Sequence, residues 1–149
     1  MQRWAMVAFA RLPRPVRRWL IHVIAPSYSC GAVAVLRRGD GCVLFVDQRH
    51  TGGWALPGGL LRRRERSDDA VRREVAEEVG LELDALPVPM AAVDPGARRI
   101  DLVYVLDAPA EAPQDTGDAE VRRSAWFPLD ELPDVTEPTR YLLRAVRLL

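Results

Sequence analysis

Lysine and asparagine are absent from this 149-residue sequence, and all 21 of its basic residues are arginine. They are balanced by 21 acidic residues, so the formal net charge is zero. Because no overall electric field draws such a chain towards a polyanion, we expect no DNA partner. Any phosphate group must instead be bound by local arginines, whose planar guanidinium presents several donors in one fork.

Cysteine is also scarce. Cys30 and Cys42 are too few to build a disulfide-based domain, and their spacing matches no metal site. We interpret both as small buried hydrophobic residues in a reducing cytosol, with a cross-strand disulfide as the alternative. This interpretation predicts a cytoplasmic protein.

Long hydrophobic runs are missing too, since none reaches the roughly 18 residues that a membrane-spanning helix needs. A short apolar stretch in residues 1–10 is followed at once by arginines, at Arg11, Arg14, Arg17 and Arg18. This order argues against a secretory signal peptide. We therefore expect no transmembrane segment.

The composition, 48% hydrophobic and 28% charged, is typical of a globular domain. The predicted helices cover residues 13–25, residues 67–79 and a segment that begins at Pro138. The predicted strands cover residues 31–37, 42–47, 54–56, 86–93, 100–107 and 120–127. This order favours an α/β fold in which helices pack on a curved mixed sheet.

The sequence predicts two parts, a helical extension over residues 1–26 and a single domain over residues 27–149. We expect the extension helix to pack on the domain. A basic amphipathic helix on a membrane surface is the alternative.

Residues 67–79 form the most clearly bounded predicted helix. Ser67 is a suitable N-cap, and Asp68 and Asp69 follow where the helix dipole favours negative charge. Gly80 suits the position just beyond the end. On this helix three carboxylates fall within an arc of roughly 100°, bordered by a stripe of valines. The carboxylates are Glu74, Glu77 and Glu78, and the valines are Val71, Val75 and Val79.

The acidic stripe is unfavourable by itself. Like charges four residues apart, such as Glu74 and Glu78, destabilise a helix by about a few tenths of a kcal/mol, and partial burial adds to that cost. A divalent cation would compensate, and carboxylates are the hard oxygen ligands that Mg²⁺ prefers. An ordinary solvated acidic face is the alternative interpretation.

The residues around this helix resemble the Nudix box. That motif consists of Gly, five residues, Glu, seven residues and then Arg-Glu-apolar-x-Glu-Glu-x-Gly-apolar. Gly59, Glu65 and residues 73–81 match it position for position. The preceding residues 54–59 are similar to the usual lead-in of the family, and a looser resemblance covers residues 31–133.

The resemblance implies an α/β/α sandwich with a curved mixed sheet, to which the N-terminal helix is an addition. It also implies a hydrolase that splits a phosphoanhydride bond with Mg²⁺, or Mn²⁺, as cofactor. Homodimers are common among such enzymes.

The resemblance further implies a role for each residue of the box. Glu77 and Glu78 are the core metal ligands. Glu74 is a further ligand or the group that activates the attacking water, and the carbonyl group of Gly58 is another ligand.

Arg73 is placed to pair with Glu77, four residues further along the helix, and with Glu65 from the preceding loop. We interpret Arg73 and Glu65 as the pair that holds the metal ligands in register. Arg73 therefore counts among the residues on which catalysis depends.

Family members often carry one more acid in a downstream loop or at the start of a strand. Glu120 is the first residue of the predicted strand over residues 120–127, directly before Val121, and is placed to be that acid. It is our candidate for an added ligand or general base. An exposed acid at the start of a strand is the alternative.

Four side chains are candidate substrate contacts. Trp54 and Tyr104 offer aromatic faces on which a base can stack, and Arg49 and Arg62 offer guanidinium groups to phosphate. Aromatic residues in strands are more often part of the core, and arginines in loops are more often solvated.

The predicted function is Mg²⁺-dependent cleavage of a phosphoanhydride bond in a nucleoside-diphosphate-linked small molecule. Pro95 resembles a proline of the ADP-ribose-cleaving branch and leans slightly towards ADP-ribose or a nucleotide sugar, although Pro95-Gly96 also suits a simple turn. House-cleaning of nucleoside triphosphates and hydrolysis of RNA 5′ ends are the alternative activities. An alternative of another class is a non-catalytic nucleotide sensor, against which the intact box carboxylates argue.

Overall fold

The computed structural model describes residues 9, 11–25, 27–49, 52–108 and 121–149. In this part of the chain the helices are α1 (Arg14–Ile24), α2 (Ser67–Val79) and α3 (Glu137–Ala145). The strands are β1 (Ser29–Arg37), β2 (Cys42–Gln48), β3 (Gly53–Ala55), β4 (Gly58–Leu60), β5 (Met90–Asp94), β6 (Arg99–Asp107) and β7 (Val121–Pro128).

These strands form one mixed sheet. β1 pairs in parallel with β6 along its whole length, from Ser29–Arg99 to Arg37–Asp107. The other described strand pairings are antiparallel, and they join β2 to β1, β3 and β7, β4 to β1, and β5 to β6. β1 therefore meets β2 at one end and β4 at the other.

Both faces of the sheet are covered by a helix. Side chains alternate between the faces of a strand, so Leu36 packs with the valines of α2 while Val35 packs with Leu143 of α3. All of these side chains are fully buried. The fold is therefore the α/β/α sandwich with a mixed sheet that the sequence predicts, preceded by the additional helix α1.

The boundaries of α2 agree with the prediction, but its N-cap does not. The N-cap residue is Arg66, without a side-chain capping bond, and Ser67 is the first helical residue. The hydroxyl of Ser67 instead shares a hydrogen bond of 2.8 Å with the hydroxyl of Tyr104, which ties the helix to β6. The C-terminal prediction is confirmed, because Gly80 ends the helix in the left-handed conformation with φ 67°.

Two predicted strand features differ from the structure. β5 begins at Met90 and not at residue 86, because Pro87 and Pro89 lack the N–H groups that a paired strand needs. β4 was not predicted, since its two glycines suggested a loop. In the turn between β5 and β6 the side chain of Asp94 accepts a hydrogen bond from the N–H of Ala97, and this turn accounts for the position of Pro95.

The expectation that α1 packs on the domain is wrong for most of its apolar residues. Trp19 and Ile24 are 64% and 71% exposed. In the described part of the chain no helix is long and apolar enough to cross a membrane. Cys30 and Cys42 both carry free thiols, and Cys30 is exposed, contrary to the expected burial.

Candidate active site

The three box carboxylates of α2 differ in their exposure. Glu78 is 7% exposed, while the side chain of Glu74 is 17% exposed and that of Glu77 is 43% exposed. The acidic stripe therefore borders the buried face of α2, which contains Val75 and Val79, and extends from the interior to the surface.

Glu78 is held between two strands. Its Oε1 accepts a hydrogen bond of 2.9 Å from Nε2 of Gln48, at the end of β2. Its Oε2 accepts one of 2.8 Å from the N–H of Gly58, at the start of β4. These two bonds orient the carboxylate group of Glu78.

Arg73 links the box carboxylates to the preceding loop. Its Nε and Nη2 donate to the two oxygens of Glu65, at 2.8 and 3.1 Å. Its Nη1 donates to Glu74 at 2.6 Å and to Glu77 at 3.1 Å. The two ion pairs predicted for Arg73, with Glu65 and with Glu77, are thus both present, and Glu74 adds a third.

The charges of this network stabilise one another. The hydrogen bonds from Arg73 and from the N–H of Arg62 lower the pKa of Glu65 from 4.5 to about 2. The bond to Glu65 is also the main reason why the pKa of Arg73 is raised. Both side chains are therefore charged at neutral pH.

Two glycines let β4 approach its neighbours. Gly58 has φ 146°, and a Cβ there would lie 2.7 Å from Cα of Val33 and closer still to the carbonyl oxygen of Ala32. A Cβ on Gly59 would lie 2.6 Å from Cδ of Glu74. Gly58 is thus required by the contact with β1, and Gly59 by the contact with the acidic face of α2.

A divalent cation suits this donor set. Among the described residues no three His, Cys, Asp or Glu side chains converge closely enough to hold a metal, because Glu74 and Glu77 turn towards Arg73 while Glu78 turns towards β2 and β4. The network nevertheless places three carboxylates, those of Glu65, Glu74 and Glu77, beside the guanidinium groups of Arg62 and Arg73. The carboxylate of Glu78, on the same helix, adds a fourth negative charge. Hard oxygen donors with an excess of negative charge are what Mg²⁺ requires.

A cavity of about 450 Å³ opens next to this network. Gln48 and Gly58, which hold Glu78, belong to its lining, as do Gly59 and Arg99. The Nε of Arg99 donates to both oxygens of the buried Asp101, at 2.9 and 2.7 Å. The cavity thus combines apolar walls with one firmly held guanidinium group.

The sequence did not single out Gln48, Arg99 or Asp101. A buried acid within an apolar strand was the available signal for Asp101, and Arg99, two positions earlier, lies on the same face of β6. Gln48 had no comparable signal, since its contact with Glu78 spans 30 positions.

The predicted substrate contacts differ in how far their side chains are buried. Tyr104 is 2% exposed and lies in the core, so it offers no face to a base and the prediction for it is corrected. Trp54 is half-buried against Phe127, at 4.8 Å between ring centroids, and the guanidinium of Arg123 covers its ring. Arg49 is exposed just beyond β2.

Arg62 is the predicted substrate contact that lies nearest to the box carboxylates. Its Nη2 donates to Oε1 of Glu77 at 3.3 Å, and the arginine side chain is largely exposed. Glu120, the candidate for an added ligand or base, lies outside the described residues.

Comparisons with known proteins agree with this geometry. A model of the NUDIX domain matches residues 28–146. Nucleoside triphosphatase NudI of Salmonella arizonae is 32% identical over 136 residues, covering 78% of this chain and 96% of NudI. A MutT-like protein of Streptomyces ambofaciens is 37% identical over 59 residues, which span 40% of this chain but only 38% of that protein.

Solved structures show the same relationship. The crystal structure of a MutT NUDIX hydrolase from Burkholderia pseudomallei is 30% identical, with a TM-score of 0.68 over 80% of this chain and 98% of the other. The family match takes in the whole described sheet, both helices that cover it and the acidic face of α2. The chain therefore belongs to the Nudix hydrolase family, which acts on phosphorus-containing acid anhydrides.

Proposed function

We propose that the protein is a Mg²⁺- or Mn²⁺-dependent pyrophosphohydrolase that cleaves a phosphoanhydride bond in a small nucleotide. The observation that carries this proposal is the acidic face of α2, where Arg73 and Gly58 orient the box carboxylates beside a cavity. A volume of about 450 Å³ lies within the roughly 300–1,000 Å³ of pockets that bind small molecules.

In this proposal Glu77 and Glu78 hold the metal, and the carbonyl group of Gly58 is a further ligand. Glu74 is an additional ligand or the group that takes a proton from the attacking water. A bound divalent cation neutralises the charge that develops on the phosphate oxygens. Glu120 is proposed as an added ligand or general base.

Arg73 and Glu65 act as positioning residues. The two-pronged bond between them fixes the guanidinium of Arg73, which then sets the directions of Glu74 and Glu77. Partners behind the metal ligands typically change metal affinity or activity by about 10- to 100-fold when they are removed.

Arg99 is proposed to bind a phosphate group of the substrate. Asp101 engages its Nε and so holds the guanidinium in place beside Gly58 and Gly59. Guanidinium groups bind phosphate oxygens through paired hydrogen bonds. Arg62, Arg49 and Trp54 remain proposed substrate contacts.

A nucleoside triphosphate is the substrate class that the comparisons favour. NudI, whose name states this activity, is similar along almost its whole length. ADP-ribose and nucleotide sugars rank second, since the turn that contains Pro95 already accounts for that proline. The chain is net-neutral, and Arg99 is the one arginine among the described residues that line the cavity; both facts give less support to an RNA 5′ end.

The test is phosphate release, coupled to a phosphatase where needed, from a panel of nucleotides with and without Mg²⁺. The panel contains the nucleoside triphosphates, 8-oxo-dGTP, ADP-ribose, nucleotide sugars and triphosphorylated RNA. We expect metal-dependent turnover, fastest for a triphosphate. Tight nucleotide binding without turnover of any compound would contradict the proposal and indicate a non-catalytic sensor.

A further inference from the structure

Helix α1 presents an apolar stripe to solvent. Val16, Trp19, Leu20, Val23 and Ile24 recur at the spacing that places them on one side of a helix. Leu20 is partly buried, but the other four are between 41% and 71% exposed. A stripe of this width normally faces a core, so its exposure indicates a surface that binds something apolar.

The other side of α1 carries arginines together with one apolar residue, Ile21, which is 49% exposed. Arg14 and Arg18 lie opposite the stripe, and Arg17 lies at its border, where a long side chain can keep its charge in water while its stem covers apolar surface. The first acidic residue of the sequence is Asp40. Residues 1–28 contain five arginines, so in this neutral chain the remainder carries a balancing excess of five negative charges.

We propose that α1 lies on the surface of an anionic lipid bilayer, with its apolar stripe among the acyl chains and its arginines at the lipid phosphates. A short amphipathic helix with a basic face and an exposed tryptophan has the properties of an interfacial helix. Its 11 residues extend about 16 Å, roughly half the thickness of the hydrocarbon core. The helix therefore lies along the surface.

The charge of α1 selects the kind of membrane. An arginine near an anionic surface strengthens binding about fivefold, and the attraction weakens as salt is added. The excess negative charge on the rest of the chain is repelled by the same surface. This opposition orients the protein, with α1 against the lipid and the domain directed towards solvent.

The test uses the full chain in co-sedimentation with vesicles of phosphatidylcholine alone or mixed with phosphatidylglycerol. We expect binding to the mixed vesicles and a decrease in binding with salt. Two double variants test the two faces of α1. The first combines Trp19→Ala and Val23→Ala, and the second combines Arg14→Gln and Arg18→Gln. Each is expected to weaken binding to the mixed vesicles at least about tenfold. Hydrolysis of a soluble substrate should be unchanged, so the result is independent of the proposed activity.

The control variants replace an even more exposed apolar residue outside α1, Val88→Ala, and an exposed arginine of α3, Arg144→Gln. Thermal melting verifies that each variant folds. The proposal is overturned if the chain does not bind the mixed vesicles, or if it binds both kinds of vesicle equally. It is also overturned if the control variants lose as much binding as the α1 variants. It is equally overturned if α1 instead joins two copies, seen in sedimentation velocity as a dimer that Trp19→Ala and Val23→Ala dissociate.

Discussion

Arg73 gives the acidic face of α2 its internal order. Its side chain is 16% exposed and donates to three different glutamates. An ion pair at the surface contributes about 0–1 kcal/mol, but a largely enclosed group with several charged partners is more strongly held. Glu65, Glu74 and Glu77 therefore behave as one electrostatic unit whose geometry depends on this guanidinium.

The lowered pKa of Glu65 predicts how stability depends on pH. Its carboxylate binds Arg73 only when ionised, so its contribution is present above the ordinary pKa of 4.5 and disappears as the pH falls through about 2. Glu65→Gln should therefore be less stable than the wild type at pH 6, and the two should converge near pH 2. Denaturant unfolding at a series of pH values measures this difference.

Glu82→Gln is the control for that series, because Glu82 is exposed just beyond the C-terminal end of α2. It should follow the wild-type curve at every pH. A constant difference between Glu65→Gln and the wild type from pH 6 down to pH 2 would show that the carboxylate charge does not contribute.

Arg99 predicts a separate effect on substrate binding. Arg99→Gln should raise KM about tenfold or more with little change in kcat, because a hydrogen bond to a charged group contributes about 1.5–3 kcal/mol. Arg98→Gln, at an exposed neighbouring position, should leave KM unchanged. Steady-state kinetics with the best substrate of the panel, on variants with matched melting temperatures, distinguish the two. Equal KM values for Arg99→Gln and wild type would remove Arg99 from the binding site.

At the scale of the elements, β4 joins the sheet to the active site. Its two glycines face in different directions, since Gly58 contacts the backbone of β1 and Gly59 contacts the side chain of Glu74. β4 thereby pairs with the end of β1 away from its pairing with β2. It also supplies the N–H group that orients Glu78.

This geometry predicts that two neighbouring substitutions affect different properties, one mainly the stability of the fold and the other mainly turnover. Gly58→Ala should destabilise the fold by about 1–3 kcal/mol or more, because it combines a strained φ with a backbone collision. Gly59→Ala should change stability by less than about 1 kcal/mol, because the flexible side chain of Glu74 can move aside, but it should reduce turnover about 10- to 100-fold. Denaturant unfolding and initial rates measure the two quantities.

Gly39→Ala is the control, since a Cβ there meets nothing within 4 Å. It should leave both stability and turnover close to those of the wild type. If Gly59→Ala retained full activity, the position of Glu74 would not matter for hydrolysis.

How well the elements were predicted depended on local signals. The boundaries of α2 were predictable because a periodic valine stripe ends at a glycine that adopts the left-handed conformation. The N-cap was not, because Ser67 has a partner 37 positions away in Tyr104. The predicted start at residue 86 is too early, because Pro87 and Pro89 lack the N–H groups of a paired strand and β5 begins only at Met90.

At the scale of the whole molecule, the Nudix box predicted the composition of the acidic face but not its surroundings. The spacing of Glu65, Arg73 and the α2 carboxylates is local, so the sequence alone indicated it. The cavity depends on pairing between distant strands, which no local pattern specifies. For the same reason Gln48 and Arg99 were missed, and Tyr104 was assigned to the substrate although it lies in the core.

The measurement that tests the central claim most directly is a Mg²⁺ titration of turnover for wild type, Glu78→Gln and Glu82→Gln. Removing the charge of Glu78 while keeping its shape should lower kcat more than about 100-fold, beyond the usual cost of losing a partner behind a ligand. Glu82→Gln, an exposed control four positions along the chain, should match the wild type at every Mg²⁺ concentration. Near wild-type, metal-dependent turnover in Glu78→Gln would contradict the assignment of the acidic face of α2 as the metal site.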